Sequence, residues 1–124
     1  MTTADDLRAI SLALPEAEER ITWETHPTFR VRDKIFAILS DDGLSASIKA
    51  TLADQAALVA TDPDTFGIAS HVGRYGWVSV QLAGIDRDHL DELLSEAWRR
   101  TAPKRLAAAT ESGERSRLPT SDTD

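Results

Sequence analysis

The residues best able to do chemistry in this chain are cations interleaved with aromatics. Arg30, Arg32 and Lys34 recur at a spacing of two in THPTFRVRDKIF. On a strand that spacing puts all three on one face. Lys49 follows in LSASIKA, opposite the apolar set of its own segment, and Arg74, Tyr75 and Trp77 cluster in HVGRYGWVSVQL. Gly73 and Gly76 predict a tight turn that carries Arg74 and Tyr75 into solvent. Cations beside aromatics suit phosphate contact and base stacking. The same residues also suit a solvated sheet face whose charges discourage edge pairing. A second set, Trp23, His26, His71, Tyr75 and Trp77, could line a groove for a small ligand or a partner chain.

Other chemistry leaves little trace. His26 and His71 with Glu24 would make a metal site only if their strands were neighbours, and no pair sits at a recognised ligand spacing. His89 falls among acids early in a predicted helix and reads as surface. There is no nucleophile elbow, phosphate-binding loop or dinucleotide fingerprint. Adjacent acids such as Asp41-Asp42 and Asp91-Glu92 diverge on any regular element, so they make poor acid–base pairs. The expectation is a non-enzymatic protein with no catalytic residues, no metal and no cofactor.

The elements that must position these residues follow from pattern. Thr2 and Thr3 are N-cap candidates for a first helix, with Leu7, Ile10 and Leu14 as its stripe and Pro15 ending it. Four strands are expected from about residue 21 to residue 50. Pro27 limits the first to a short edge, Asp33-Lys34 turns a hairpin, IFAIL is central, and Asp41-Asp42-Gly43 turns the next. Thr51 opens a second helix that Asp62-Pro63-Asp64 breaks. A strand or extended segment at 65–70 leads to the glycine turn. Val78, Val80 and Leu82 then alternate with Trp77, Ser79 and Gln81. Asp86 should cap a third helix with the stripe Leu90, Leu93, Leu94, Ala97, Trp98 and Thr101, and with Arg99, Arg100, Lys104 and Arg105 gathered at its end. The class is α+β: helices packed on an antiparallel sheet of five to six strands.

The 124 residues suit one core, assigned to 1–109, and the polar stretch 110–124 reads as a disordered tail. No apolar run approaches the roughly 20 residues of a membrane span, and MTTADDLRAI lacks the layout of a signal peptide, so a cytoplasmic location is expected. The absence of cysteine excludes disulfides and thiolate chemistry. A net charge of −7 opposes use as a general nucleic-acid coat but allows a local basic patch on an acidic body.

Four segments together resemble the MmcQ/YjbR family: the first helix ending in LALP, THPTFRVRDKIFAIL, LSASIKA, and HVGRYGWVSVQL with the helix DRDHLDELLSEAWRRTAPKRL. The pairing of an FRV-x-x-KIFA hairpin with a turn leading into a tryptophan strand carries the resemblance. It implies a compact α+β fold in which two hairpin wings have been compared with a double-wing DNA-binding arrangement. Family members often carry a denser basic cluster before the tryptophan than the single Arg74 found here. Two readings follow. One is DNA binding through Arg30, Arg32, Lys34, Lys49, Arg74, Tyr75 and Trp77. The other is a protein- or small-ligand-binding module using the aromatic face, without nucleic acid.

Overall fold

A computed structural model describes residues 1–22, 26–70 and 72–108. The elements run α1 (Ala4–Ala13), β1 (Ala17–Thr22), β2 (His26–Val31), β3 (Lys34–Leu39), β4 (Ser45–Ile48), α2 (Leu52–Thr61), β5 (Phe66–Ile68), β6 (Val78–Gln81) and α3 (Arg87–Thr101). A further helical stretch covers 104–108. All six strands join one antiparallel sheet in the order β1-β2-β3-β4-β6-β5. The α+β class and strand number agree with the expectation from sequence.

Register separates the two faces of the sheet. One row runs Phe29, Ala37, Ile48, Val78 across β2, β3, β4 and β6. Each of these is fully buried. Together with Phe36, Val80, Leu7, Leu90, Leu94 and Trp98 they form the core. The helices α1 and α3 pack on this face. The row on the opposite face runs Arg20, Thr28, Ile38, Ser47, Ser79, Gly67 and is mostly small or polar. Phe36 is the extra residue of a β-bulge, since the β2–β3 register shifts between Phe29 and Arg30. The bulge lets Phe36 and Ala37 both enter the core, which strict alternation would forbid.

Local chemistry explains the ends. Thr3 caps α1 through a capping box with Asp6, and Thr51 caps α2 by accepting from the Asp54 N–H. Asp86 occupies the N-cap of α3 but makes no side-chain capping bond. The Trp98 indole donates to the Pro15 carbonyl at 2.9 Å, tying α3 to the segment between α1 and β1. Three expectations need correction. The acidic stretch after Pro15 already forms β1, because its residues pair with β2 from Ala17↔Val31 onward. The β2–β3 turn is Arg32-Asp33, at φ 52° and 68°, rather than Asp33-Lys34. His89 is half-buried, its ring edge-on to Phe66 at 5.5 Å. The tail assigned to 110–124 lies outside the described residues.

Ser11 is fully buried in α1 and its hydroxyl has no hydrogen-bond partner among the described residues. An unsatisfied buried hydroxyl costs about 1–3 kcal/mol. Ser11→Ala is therefore expected to stabilise the fold by about 1 kcal/mol, raising the melting temperature by a few degrees. Thermal unfolding followed by circular dichroism checks this, and a fall in melting temperature would contradict it.

Candidate functional site

The candidate cations do not share a face as a spacing of two would require. Arg32 lies in the left-handed turn, and the bulge resets the register beside it. Arg30 pairs with Ile35 on the open face, whereas Lys34 pairs with the buried Val31 and projects to the helix-covered side. A different relation unites the set. β2 ends and β3 begins at the Arg32-Asp33 turn, β4 ends at Ile48, and β6 begins at Val78 opposite Ile48. Lys34, Lys49, Arg74, Tyr75 and Trp77 consequently stand at one end of the sheet. From β3 to β6 is two strand spacings, roughly 10 Å.

The glycine turn at this end is a 3₁₀ turn, Gly73–Tyr75, closed by Gly76 at φ 100°. Gly76 lies against the backbone that opens α2: a Cβ there would come within 2.7 Å of the Thr51 carbonyl carbon and 2.8 Å of the Leu52 nitrogen. Gln55 of α2 is buried, and its amide donates to the carbonyls of Gly73 (2.8 Å) and Trp77 (2.6 Å). These contacts hold Arg74 and Tyr75 outward. Tyr75 is 61% exposed, and the Arg74 guanidinium sits 4.9 Å from its ring centroid. Trp77 is half-buried. Sequence reasoning missed Gln55; a polar residue inside an apolar helix stripe is the signal that marks it.

The charge pattern at this end is selective. Glu16 pairs with Arg32, whose second nitrogen donates to the carboxylate at 2.9 Å. Asp33 pairs with Arg20 at 2.7 Å and Asp54 with Arg100 at 3.0 Å. Lys34, Lys49 and Arg74 make no ion pair among the described residues. The opposite end carries Asp41, Asp42, Asp62, Asp64, Asp86 and Asp88, also without ion pairs among the described residues. The molecule is thus acidic overall yet basic at one pole.

Arg30 belongs to the open face, where its Nε donates to the Thr28 hydroxyl at 3.1 Å. That hydroxyl donates in turn to the Arg20 carbonyl. Within the expected aromatic and histidine face, His26 stands apart from Tyr75 and Trp77. His26 begins β2 at the acidic end, remote from Tyr75 and Trp77, and β3 and β4 lie between β2 and β6. Trp23 and His71 lie outside the described residues. Among the described residues no group of His, Asp or Glu side chains is gathered to hold a metal ion. No described helix is long and apolar enough to cross a membrane. A cleft of about 230 Å³ opens between α2 and α3, lined by Ala50, Ala57, Leu58 and Leu93 with Lys49 and Arg100 among its polar residues.

Two expectations follow from this geometry. Gly76→Ala should cost about 2–4 kcal/mol, because it adds backbone overlap to a left-handed φ, whereas Gly67→Ala should cost about 1 kcal/mol or less, since its Cβ meets Ser79 at an ordinary 4.0 Å. Urea unfolding of both variants checks the contrast. The hydrogen bond from Arg32 holds the Glu16 carboxyl below the usual carboxylate range. That contribution is complete above the unfolded carboxylate range and is lost as pH falls through the lowered folded value. The melting temperature should therefore be level from neutral pH down to that range and fall below it, with a shallower fall in Glu16→Gln.

Comparison with known proteins places the fold. The chain is 28% identical over 123 residues to the uncharacterised proteins Rv2570 of Mycobacterium tuberculosis and Mb2600 of Mycobacterium bovis, covering 88% of this chain and 95% of each relative. The crystal structure of Deinococcus radiodurans protein DR2400, which contains a DUF419 domain, superimposes with a TM-score of 0.75 at 24% identity, covering 100% of this chain and 97% of that one. The YjbR family model matches residues 12–100, which include every strand, the whole second helix and nearly all of the third, and the chain belongs to the YjbR family.

Proposed function

We propose that this protein is a non-enzymatic module that binds nucleic acid weakly and end-on, through the basic pole of its sheet. The observation that carries the reading is the pairing pattern. Every described acid at that pole has an arginine partner, whereas Lys34, Lys49 and Arg74 have none and stand beside Tyr75 and Trp77. Duplex DNA presents one charge per about 1.7 Å, so a front of roughly 10 Å faces about six phosphates. The exposed Tyr75 offers a stacking surface to unpaired bases. The acidic pole turns away from the polyanion and fixes which end approaches it. The described residues that meet there are three cations and two aromatic rings, so the contact is to backbone and ring faces rather than to sequence.

A second reading has its own observation. The row Gly67, Ser79, Ser47, Ile38 leaves the face opposite α1 and α3 shallow, with half-buried Ser47 and Ser79 side by side. A protein or small ligand seated there would bind with little dependence on salt.

Tryptophan fluorescence titrations with single- and double-stranded DNA over a salt series separate the two. Three released counterions give a slope of about −2.7 for log K against log salt on duplex. Lys34→Ala, Lys49→Ala and Arg74→Ala should each reduce that slope by about 1 and weaken all sequences alike. Arg87→Ala, at the acidic pole beside Asp6, should leave affinity unchanged. No saturable signal at low salt would refute the reading.

A further inference from the structure

We infer that β1 is a self-association edge, through which two copies of this chain join antiparallel, β1 to β1, into one continuous sheet. The two edges of the sheet differ in how they are protected. β5 is three residues long, contains Gly67 and lies beside α2. Short, covered edges resist pairing with other chains. β1 has six residues, AEERIT, with no proline, glycine, lysine or bulge in it. Of the devices that blunt an edge it carries only charged side chains, Glu18, Glu19 and Arg20, and each of these is engaged in an ion pair.

The backbone of β1 is oriented to accept a partner. Pro27, opposite Ile21, has no amide to donate. The Arg20 carbonyl points inward, where it accepts from the Thr28 hydroxyl. Hydrogen-bonded and non-bonded pairs alternate in an antiparallel ladder, so Glu19 and Ile21 direct their N–H and C=O groups to the free edge. A two-fold axis at Glu19 then sets Ile21 of each copy opposite Ala17 of the other, and Glu18 of each opposite Arg20 of the other. Two attractive charge pairs form on the open face. Moving the axis one residue either way would oppose Glu18 to Glu18 or Arg20 to Arg20, which like-charge repulsion disfavours. At the axis itself the two Glu19 carboxylates are already neutralised, each held by Arg8 at 2.9 and 3.1 Å.

Apolar exposure marks the same edge. Ile21 is 60% exposed. Leu12, 41% exposed, stands one turn beyond Arg8 on α1, on the flank that Arg8 extends toward β1. Antiparallel joining sets the two α1 helices side by side over the extended sheet and brings both leucines to their contact. The basic poles then point in opposite directions, so the inference stands independently of nucleic-acid binding.

Sedimentation equilibrium of the whole chain from micromolar to millimolar concentration tests this. The wild type should show a monomer–dimer equilibrium. Ile21→Lys should weaken it about tenfold or more, because a lysine on the edge opposes pairing. Glu18→Arg and Arg20→Glu should each weaken it, and the double variant Glu18→Arg/Arg20→Glu should regain most of the lost association, since it restores opposite charges in the same register. Far-ultraviolet circular dichroism of each variant confirms that it is folded. A wild type that stays monomeric throughout overturns the inference. So does a dimer that is indifferent to Ile21→Lys, or one that the double charge swap fails to rescue.

Discussion

The structure depends on one constraint: a single apolar sheet face must be covered by a single layer of helix. Phe29, Phe36, Ile48, Val78 and Val80 present that face, and Leu7, Leu90, Leu94 and Trp98 cover it. Burial of such side chains contributes about 1.5–3 kcal/mol each before the entropy of ordering them is counted. The β-bulge at Phe36 serves the same end, since it adds a second aromatic ring to the layer without breaking the strand. The Trp98–Pro15 hydrogen bond satisfies the one polar group that the largest side chain in this layer brings with it.

The charge distribution follows from that packing. α1 and α3 both begin at the end of the sheet where β3 finishes, and both carry acids in their first turn. Negative side chains are favoured there by the unpaired N–H groups of the helix start, and Arg99 and Arg100 are favoured at the far end of α3. Two helices laid parallel on one sheet face therefore separate charge along the strands. The connections extend the separation. Asp41, Asp42, Asp62 and Asp64 occupy turns at the acidic end, whereas the Arg32-Asp33 turn and the Gly73–Tyr75 turn stand at the other.

The glycine turn shows how a small motif is made specific by its surroundings. Its sequence marks a tight turn, but the direction in which Arg74 and Tyr75 point is set from outside. Gly76 must be left-handed because the start of α2 occupies the space a side chain would need. The Gln55 amide then adds a second donor to the Gly73 and Trp77 carbonyls, which already accept from the Gly76 and Ala69 N–H groups, and so satisfies itself as a buried polar group must. The turn is a joint between α2 and β6 more than a free loop.

Much of this was legible beforehand. The 3.6-residue stripe of Leu90, Leu94, Ala97 and Trp98, the alternation of Val78 and Val80, and the capping threonine at 51 are local patterns, and local patterns survive into the fold. The start of β1 was placed too late, near residue 21, because AEERIT has no apolar alternation: it is an edge strand whose pairing with β2 gives it structure. The shared face of Arg30, Arg32 and Lys34 failed for a related reason. A spacing of two holds only along an uninterrupted strand, and neither the bulge nor the left-handed Arg32-Asp33 turn announces itself in residue type. By itself the sequence determined which residues are apolar, which are charged and where the chain must turn, because those properties belong to single residues and short windows. Only the tertiary structure decided which charges meet. Glu16 with Arg32, Asp54 with Arg100, and the gathering of Lys34, Lys49 and Arg74 at one pole are consequences of strand order and register, and these emerge only when distant segments bury a common face.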